Sequence, residues 1–230
     1  MMKIPRHNLQ VRFTHWITVL SIFMLFFTGF GQMPVYKRYF IDQVPGLEWS
    51  SNYLITLNIH YYAAMVLIFI SFFYMFYLLL SKETDILPRK GDFKESLIIF
   101  ASLLGLAKEP QNDKYLAEQR MAFAVTGLSI AGLIVTGLIK VLKNLPDNNI
   151  PLQVSFWATQ VHNIFTVILL ISIVVHLLAF LIKDNRPLFL SMFNGKISLD
   201  YARHRHSLWI RRTEPNTITA DLQDKVKIGA

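Results

Sequence analysis

Four stretches of this chain contain no Asp, Glu, Lys or Arg: residues 13–36, 49–81, 121–139 and 148–182. Each holds about 20 apolar residues, the length that crosses roughly 30 Å of hydrocarbon. Backbone placed in hydrocarbon must satisfy its own N–H and C=O groups, so these stretches predict transmembrane helices, near 13–33, 53–80, 120–141 and 156–182. The expected fold is an all-α integral membrane four-helix bundle over residues 1–213, followed by a polar tail at 214–230. With 53% hydrophobic and 17% charged residues, the chain fits neither a disordered protein nor an ordinary soluble domain. The first span does not read as a cleavable signal, because polar residues stand inside it and no A-x-A-like site follows.

The chain has no cysteine. Disulfides, thiolate zinc sites and iron–sulfur clusters held by this chain alone are therefore excluded. In a soluble protein the net charge of +8 would suggest nucleic acid. Here the placement of the charges explains it better, and no nucleic-acid partner is expected. Of the 23 Lys and Arg, three lie in residues 1–12, seven in 81–120 and nine after Phe180, against two in each of the 34–52 and 140–155 connections. The positive side is cytoplasmic, so both termini face the cytoplasm. Within the long cytoplasmic connection, FKESLIIFASLLGLA at 93–107 is too short to span. It reads either as an interfacial amphipathic helix or as a helix packed beneath the bundle.

Four of the seven histidines, His15, His60, His162 and His176, sit inside the apolar spans. An ionisable residue there is costly and is a functional candidate by default. The plainer role for any one of them is an interhelical hydrogen bond. The topology places His60 and His162 near the outer surface, and His15 and His176 near the inner one. His162 and His176 are fourteen residues apart, about 21 Å and close to four turns of one helix, so both project from nearly the same face. Two levels of paired imidazoles from different helices can clamp two flat metal macrocycles. A zinc or di-iron centre would want thiolates or carboxylates beside the histidines, and a proton relay would usually include Asp or Glu. The spans contain none. Two haems b remain, an outer one on His60 and His162 and an inner one on His15 and His176. With both axial positions filled, electron transfer is the expected chemistry.

Several other residues carry weaker signals. Arg12, beside His15, is a candidate propionate contact as well as a positive-inside anchor. Gly29, Gly31, Gly127, Gly132 and Gly137 permit close approach of a porphyrin or, more commonly, of another helix. Trp49, Tyr53 and Trp157 near the outer interface could form an aromatic belt or contact a partner. RHRH at 203–206 reads as a basic juxtamembrane cluster attracted to anionic lipid headgroups.

RFTHW at 12–16, Thr28–Gly29, His60, QRMAF at 119–123, Thr136–Gly137, the His162-x13-His176 spacing and FNGKISLDYARHRHSLW at 193–209 together resemble the di-haem cytochrome b (gamma) subunit of respiratory formate dehydrogenases. The resemblance extends over about residues 5–214 and reaches related subunits of nickel–iron hydrogenases and of thiosulfate or other sulfur-compound reductases. It implies the same two ligand pairs. It also implies an iron–sulfur subunit and an outer-facing molybdenum or tungsten catalytic subunit as partners, in a complex that can be multimeric, with menaquinone or ubiquinone as the electron acceptor or donor. The setting is the bacterial or archaeal cytoplasmic membrane. The family's quinone pattern, K-Y-N-A-G-Q, stands here as KYLAEQ at 114–119. Tyr115 and Gln119 match it, while Leu116 and Glu118 depart from it. The resemblance gives this chain no substrate-dehydrogenating site of its own. Two other classes stay open: a haem-free transporter with structural histidines, and a stand-alone transmembrane reductase, for which the short outer loops leave little room.

Overall fold

A computed structural model describes residues 2–103 and 105–213. The fold is all-α, with four helices long and apolar enough to cross a membrane. The tail expected at 214–230 lies outside the described residues. The chain divides into two compact units, His7–Glu83 and Met1–Arg6 with Thr84–Ala230.

The His7–Glu83 unit is a helical hairpin, α1 (Leu9–Gly31) against α3 (Tyr53–Ser81), with the short α2 (Pro34–Arg38) between them. Asn8 starts α1 by accepting the Val11 N–H at 2.9 Å, the usual remedy for a helix's orphan first donors. Its side-chain amide also donates to the Tyr77 hydroxyl and, at 3.2 Å, to Glu83, tying the start of α1 to the end of α3. Asn52 caps α3 through the Leu54 and Ile55 N–H groups. The connection between them folds back on the hairpin, where the buried Tyr36 and Ser50 share a 2.7 Å hydroxyl–hydroxyl bond. Only glycine fits at position 31, because a Cβ there would collide with the Ser50 carbonyl oxygen.

The second unit contains α4 (Asp92–Leu103), α5 (Ala117–Lys143), α6 (Leu152–Leu178), α7 (Arg186–Asn194), α8 (Leu199–Arg205) and α9 (Ser207–Thr213). Strand β1 (Lys3–Pro5) pairs antiparallel with β2 (Lys196–Ser198), Ile4 facing Ile197. The spans α5 and α6 pack closely, since Gly132 leaves room for the Phe165 ring where any Cβ would overlap it. A hydroxyl pair, Thr126 with Ser172 at 2.9 Å, adds an interhelical bond of the kind that holds membrane helices together. Helix α4, Asp92–Leu103, packs against α5. Its Ile99 is buried with Leu116 and Ala117 at the start of α5, while Phe93, Leu97 and Phe100 form an exposed apolar stripe.

The non-spanning elements of this unit form a small folded layer. Ile4, Ile197, Leu199, Ala202, Trp209 and Ile210 make its core. Around that core the layer buries charge. Arg120 grips Asp92 with both arms, Nε to Oδ2 at 2.8 Å and Nη2 to Oδ1 at 2.5 Å, and its Nη1 donates to the Tyr115 carbonyl at 2.5 Å. Both side chains are almost wholly buried, at 5% and 2% exposure. The Arg120 hydrogen bond holds the Asp92 carboxyl below its ordinary range. The pair therefore stays ionised at neutral pH, and its contribution is lost only as pH falls below about 4. Arg89 and Arg212 both bridge Asp85 and Asp113 at 2.8–3.0 Å, fastening α9 to the 84–113 segment.

The sequence expectation for residues 203–206 needs correction. His204 is exposed as a lipid-facing cluster requires, but Arg205 and His206 are turned inward, at 6% and 0% exposure. His206 Nδ1 donates to the Asp113 carbonyl at 2.8 Å, and the next residues continue the contact through Leu208 N–H to the Asn112 carbonyl. Burial first, with Arg6 and Arg205 assisting and the Asp113 bond opposing, pushes the His206 imidazole down to about 3.

Two outcomes test this layer. Asp92→Asn should destabilise the protein by about 3–5 kcal/mol, because it strands a buried guanidinium, whereas pairing Asp92→Leu with Arg120→Met should recover most of the loss; thermal unfolding in detergent reads both. His206 binds its proton only near pH 3 when folded and at about 6.5 when unfolded. Its stabilising contribution is complete above pH 6.5 and fades between 6.5 and 3. Unfolding midpoints of His206→Gln should therefore depend less on pH over that range than those of the wild type.

Candidate functional site

The four intramembrane histidines lie two to a unit. In the His7–Glu83 unit, His15 stands on the second turn of α1 and His60 on the second turn of α3. In the other, His162 and His176 share α6, His162 near its start and His176 in its last turn. Because α6 is continuous over that interval, the two are about 21 Å apart along it. His60 and His162 each lie at the end of their hairpin nearest its connecting loop. His15 and His176 lie at the opposite ends of their helices.

His60 and His162 have matched surroundings. His60 Nδ1 lies 2.9 Å from Thr28 Oγ1, and His162 Nδ1 lies 2.8 Å from Thr136 Oγ1. Each threonine hydroxyl also donates to the carbonyl four residues earlier, Met24 or Gly132, at 2.7 Å. A hydroxyl has one proton. With that proton on the helix carbonyl, the threonine oxygen must accept, so the imidazole donates from Nδ1–H. The neutral ring is then left with its lone pair on Nε2, the form that binds a metal. Both rings lie against a glycine. A Cβ at Gly29 would stand 3.8 Å from His60 Cε1, and one at Gly137 would stand 3.6 Å from His162 Cε1. Sequence reasoning noted both Thr–Gly dipeptides only as part of a motif. Their repetition at the loop end of two spans was the signal for this role, but which histidine each would meet depends on helix pairing.

The other two histidines are set among aromatics. His15 meets Trp16 edge-on at 5.2 Å, and Arg12 shares its face one turn earlier. His176 is exposed and meets Phe180 edge-on at 5.3 Å, and an aromatic series continues from there through Phe189 to Phe193 in α7.

Tyr115 and Gln119 flank the first residue of α5. Tyr115 is half-buried beneath the Arg6 guanidinium, 5.5 Å from its ring centroid, and Arg6 also lies 5.7 Å from the Trp209 ring. Gln119 Oε1 accepts the Leu116 N–H at 3.2 Å, half of a capping box. Leu116 occupies the helix N-cap and has no side-chain acceptor, so Gln119 supplies one from the first turn. Glu118 is half-buried, and its Oε2 has no hydrogen-bond partner among the described residues. Of the aromatics expected at the outer interface, Trp49 is folded into its loop by a 3.0 Å bond to the Gly46 carbonyl, while Trp157 is 63% exposed. Trp157 borders an open apolar groove of about 480 Å³ that runs past Thr136 between α5 and α6.

Residues 6–195 match the family model described as prokaryotic cytochrome b561. The chain belongs to this family. It is accordingly a membrane cytochrome b of the bacterial type, and its family implies haem b. Among curated proteins it is similar to the formate dehydrogenase cytochrome b556 subunit of Haemophilus influenzae, 26% identical over 99% of this chain and 91% of the relative. It is also similar to the nitrate-inducible formate dehydrogenase cytochrome b556(Fdn) subunit of Escherichia coli K12, 27% identical over 88% of each.

The residues present fit haem b. Neutral imidazoles that donate from Nδ1–H and carry their lone pair on Nε2 are the ligand form that haem iron takes. A small residue beside each ring leaves the imidazole room. Gly137→Ala should leave haem content unchanged, since 3.6 Å is ordinary contact. Gly137→Leu should push the His162 ring aside and lower haem b per protein. A reduced-minus-oxidised difference spectrum measures both.

Proposed function

We propose that the chain is the membrane-anchoring cytochrome b subunit of a formate dehydrogenase complex, passing electrons between an outer-facing iron–sulfur and molybdenum or tungsten catalytic partner and the membrane quinone pool. Two haems b are held per chain, the outer by His60 and His162 and the inner by His15 and His176, with Arg12 toward an inner propionate. The observation that carries this reading is the matched pair His60 and His162, each held at Nδ1 by a threonine hydroxyl, which puts the ring's lone pair on Nε2. Similarity to formate dehydrogenase subunits along nearly the whole chain supports the choice of complex.

Haem iron, when bound, supplies reversible one-electron transfer. The protein holds the imidazoles, keeps water out with apolar helices and sets the distance between the two levels. Quinone reduction consumes two electrons and two protons, so its site must reach the cytoplasm as well as the inner haem. Tyr115, Gln119 and Glu118 at the cytoplasmic start of α5 meet the first requirement, and Gln119 keeps its amide N–H₂ for a quinone carbonyl because only its oxygen caps the helix. With both termini cytoplasmic and the donor outside, formate oxidation would separate charge across the membrane.

The test is haem stoichiometry by dithionite-reduced minus oxidised spectra on wild type, His60→Ala and His176→Ala, followed by formate-driven reduction with the partner subunits present. Two low-spin haems b per chain, with each variant losing a different one, are expected. Spectra without haem would overturn the reading. Reduction by hydrogen but not by formate would move the chain to a hydrogenase complex.

A further inference from the structure

We infer that Thr28 and Thr136 are positioning residues that fix the ring orientation and electron-donating strength of His60 and His162, and thereby set the reduction potential of one haem from both of its faces. The inference rests on the reading of those histidines as axial ligands. It adds an internal correspondence between the two helical hairpins that the chain's sequence does not display as a repeat.

The correspondence is detailed. In each hairpin a Thr–Gly pair stands toward the loop end of the incoming helix, and the histidine stands within the first three turns of the returning one. The threonine oxygen meets Nδ1 at 2.9 Å in one hairpin and 2.8 Å in the other. In both, the hydroxyl reaches the carbonyl four residues back at 2.7 Å and the one three residues back at 3.3 Å. Both threonines are buried, at 0% and 6% exposure. A Cβ added to the following glycine would meet Cε1 of the same ring in each case.

A hydroxyl used in this way is a particular kind of partner. It is uncharged, so it costs little in hydrocarbon, where a carboxylate in the same place would be expensive. Its own proton is fixed on a helix carbonyl, so it cannot switch to donating and release the tautomer. The backbone bonds hold its rotamer, and the rotamer in turn sets the imidazole plane. Donation from Nδ1–H to this oxygen raises the basicity of Nε2 and favours ferric iron, which lowers the potential relative to a ring with no acceptor. Loss of the acceptor also leaves an unpaired N–H in an apolar span and frees the ring to rotate.

The experiment is a potentiometric titration with low-spin electron paramagnetic resonance on the haem-loaded protein, comparing wild type with Thr28→Val, Thr136→Val, the double variant, and Thr28→Ser and Thr136→Ser. Each Val variant should raise the midpoint of one haem, the same one in both, and move its largest g value while the other haem stays unchanged. The double variant should shift further, and the Ser variants should return to wild-type values. If a Val variant loses haem, Thr→Ala and Thr→Ser at that position decide instead: wild-type midpoint and g value in Ser but not in Ala supports the inference, and equal behaviour overturns it. Unmoved midpoints and g values throughout would overturn it while leaving the haem assignment intact. Shifts confined to different haems would also overturn it, because the two threonines would then not act on one group. A wild type without haem b would instead remove the proposed function.

Discussion

Hydrocarbon offers no hydrogen bonds, and the rest of this structure follows from that condition. The four spans still contain many polar side chains, and the protein deals with them locally. Ser71 donates to the Leu67 carbonyl, Ser129 to Val125 and Thr166 to His162, each at 2.7–2.8 Å within its own helix. A hydroxyl satisfied in this way is compatible with lipid and still has acceptor capacity. Thr28 and Thr136 use that remaining capacity on an imidazole N–H. A titratable ring can then sit in an apolar span in one neutral form, with its lone pair on one defined nitrogen.

Charge is handled differently outside the spans. The folded layer of the second unit buries Arg6, Asp92, Arg120, Arg205 and His206 rather than leaving them to solvent. Burial of ions brings stability only when the geometry is complete, and the Asp92–Arg120 pair meets that condition with two hydrogen bonds and a third to the Tyr115 carbonyl. The consequence is positional. The start of α5 is pinned from α4, from Arg6 on β1's trailing side and from the α8–α9 corner, so Tyr115, Glu118 and Gln119 are presented from a rigid segment rather than from a loose loop. A binding residue on such a support keeps its aim, which a quinone site at a membrane edge would require.

The hydrophobic pattern made the spans legible because bilayer thickness fixes helix length. The expected 53–80 and 120–141 became Tyr53–Ser81 and Ala117–Lys143, while the helices expected at 13–33 and 156–182 begin four residues earlier, where Asn8 and Pro151 set the boundary, and the last of them ends at Leu178. The histidines were legible for the same reason, since an ionisable residue stands out in a charge-free window. The 203–206 cluster was misread because charge in sequence carries no information about direction. Arg205 and His206 turn inward only because α8 ends beside Asp113, ninety-three positions from His206 along the chain.

Taken alone, the sequence determined the membrane class, the four spans, the histidines and their order along the chain, because each depends on local composition measured against a fixed hydrocarbon thickness. Tertiary structure decided which hydroxyl meets which imidazole, and that a basic tail segment forms part of a buried layer. Those are contacts between residues 26 to 93 positions apart, and only the packing of one element on another can choose among the partners that the sequence allows.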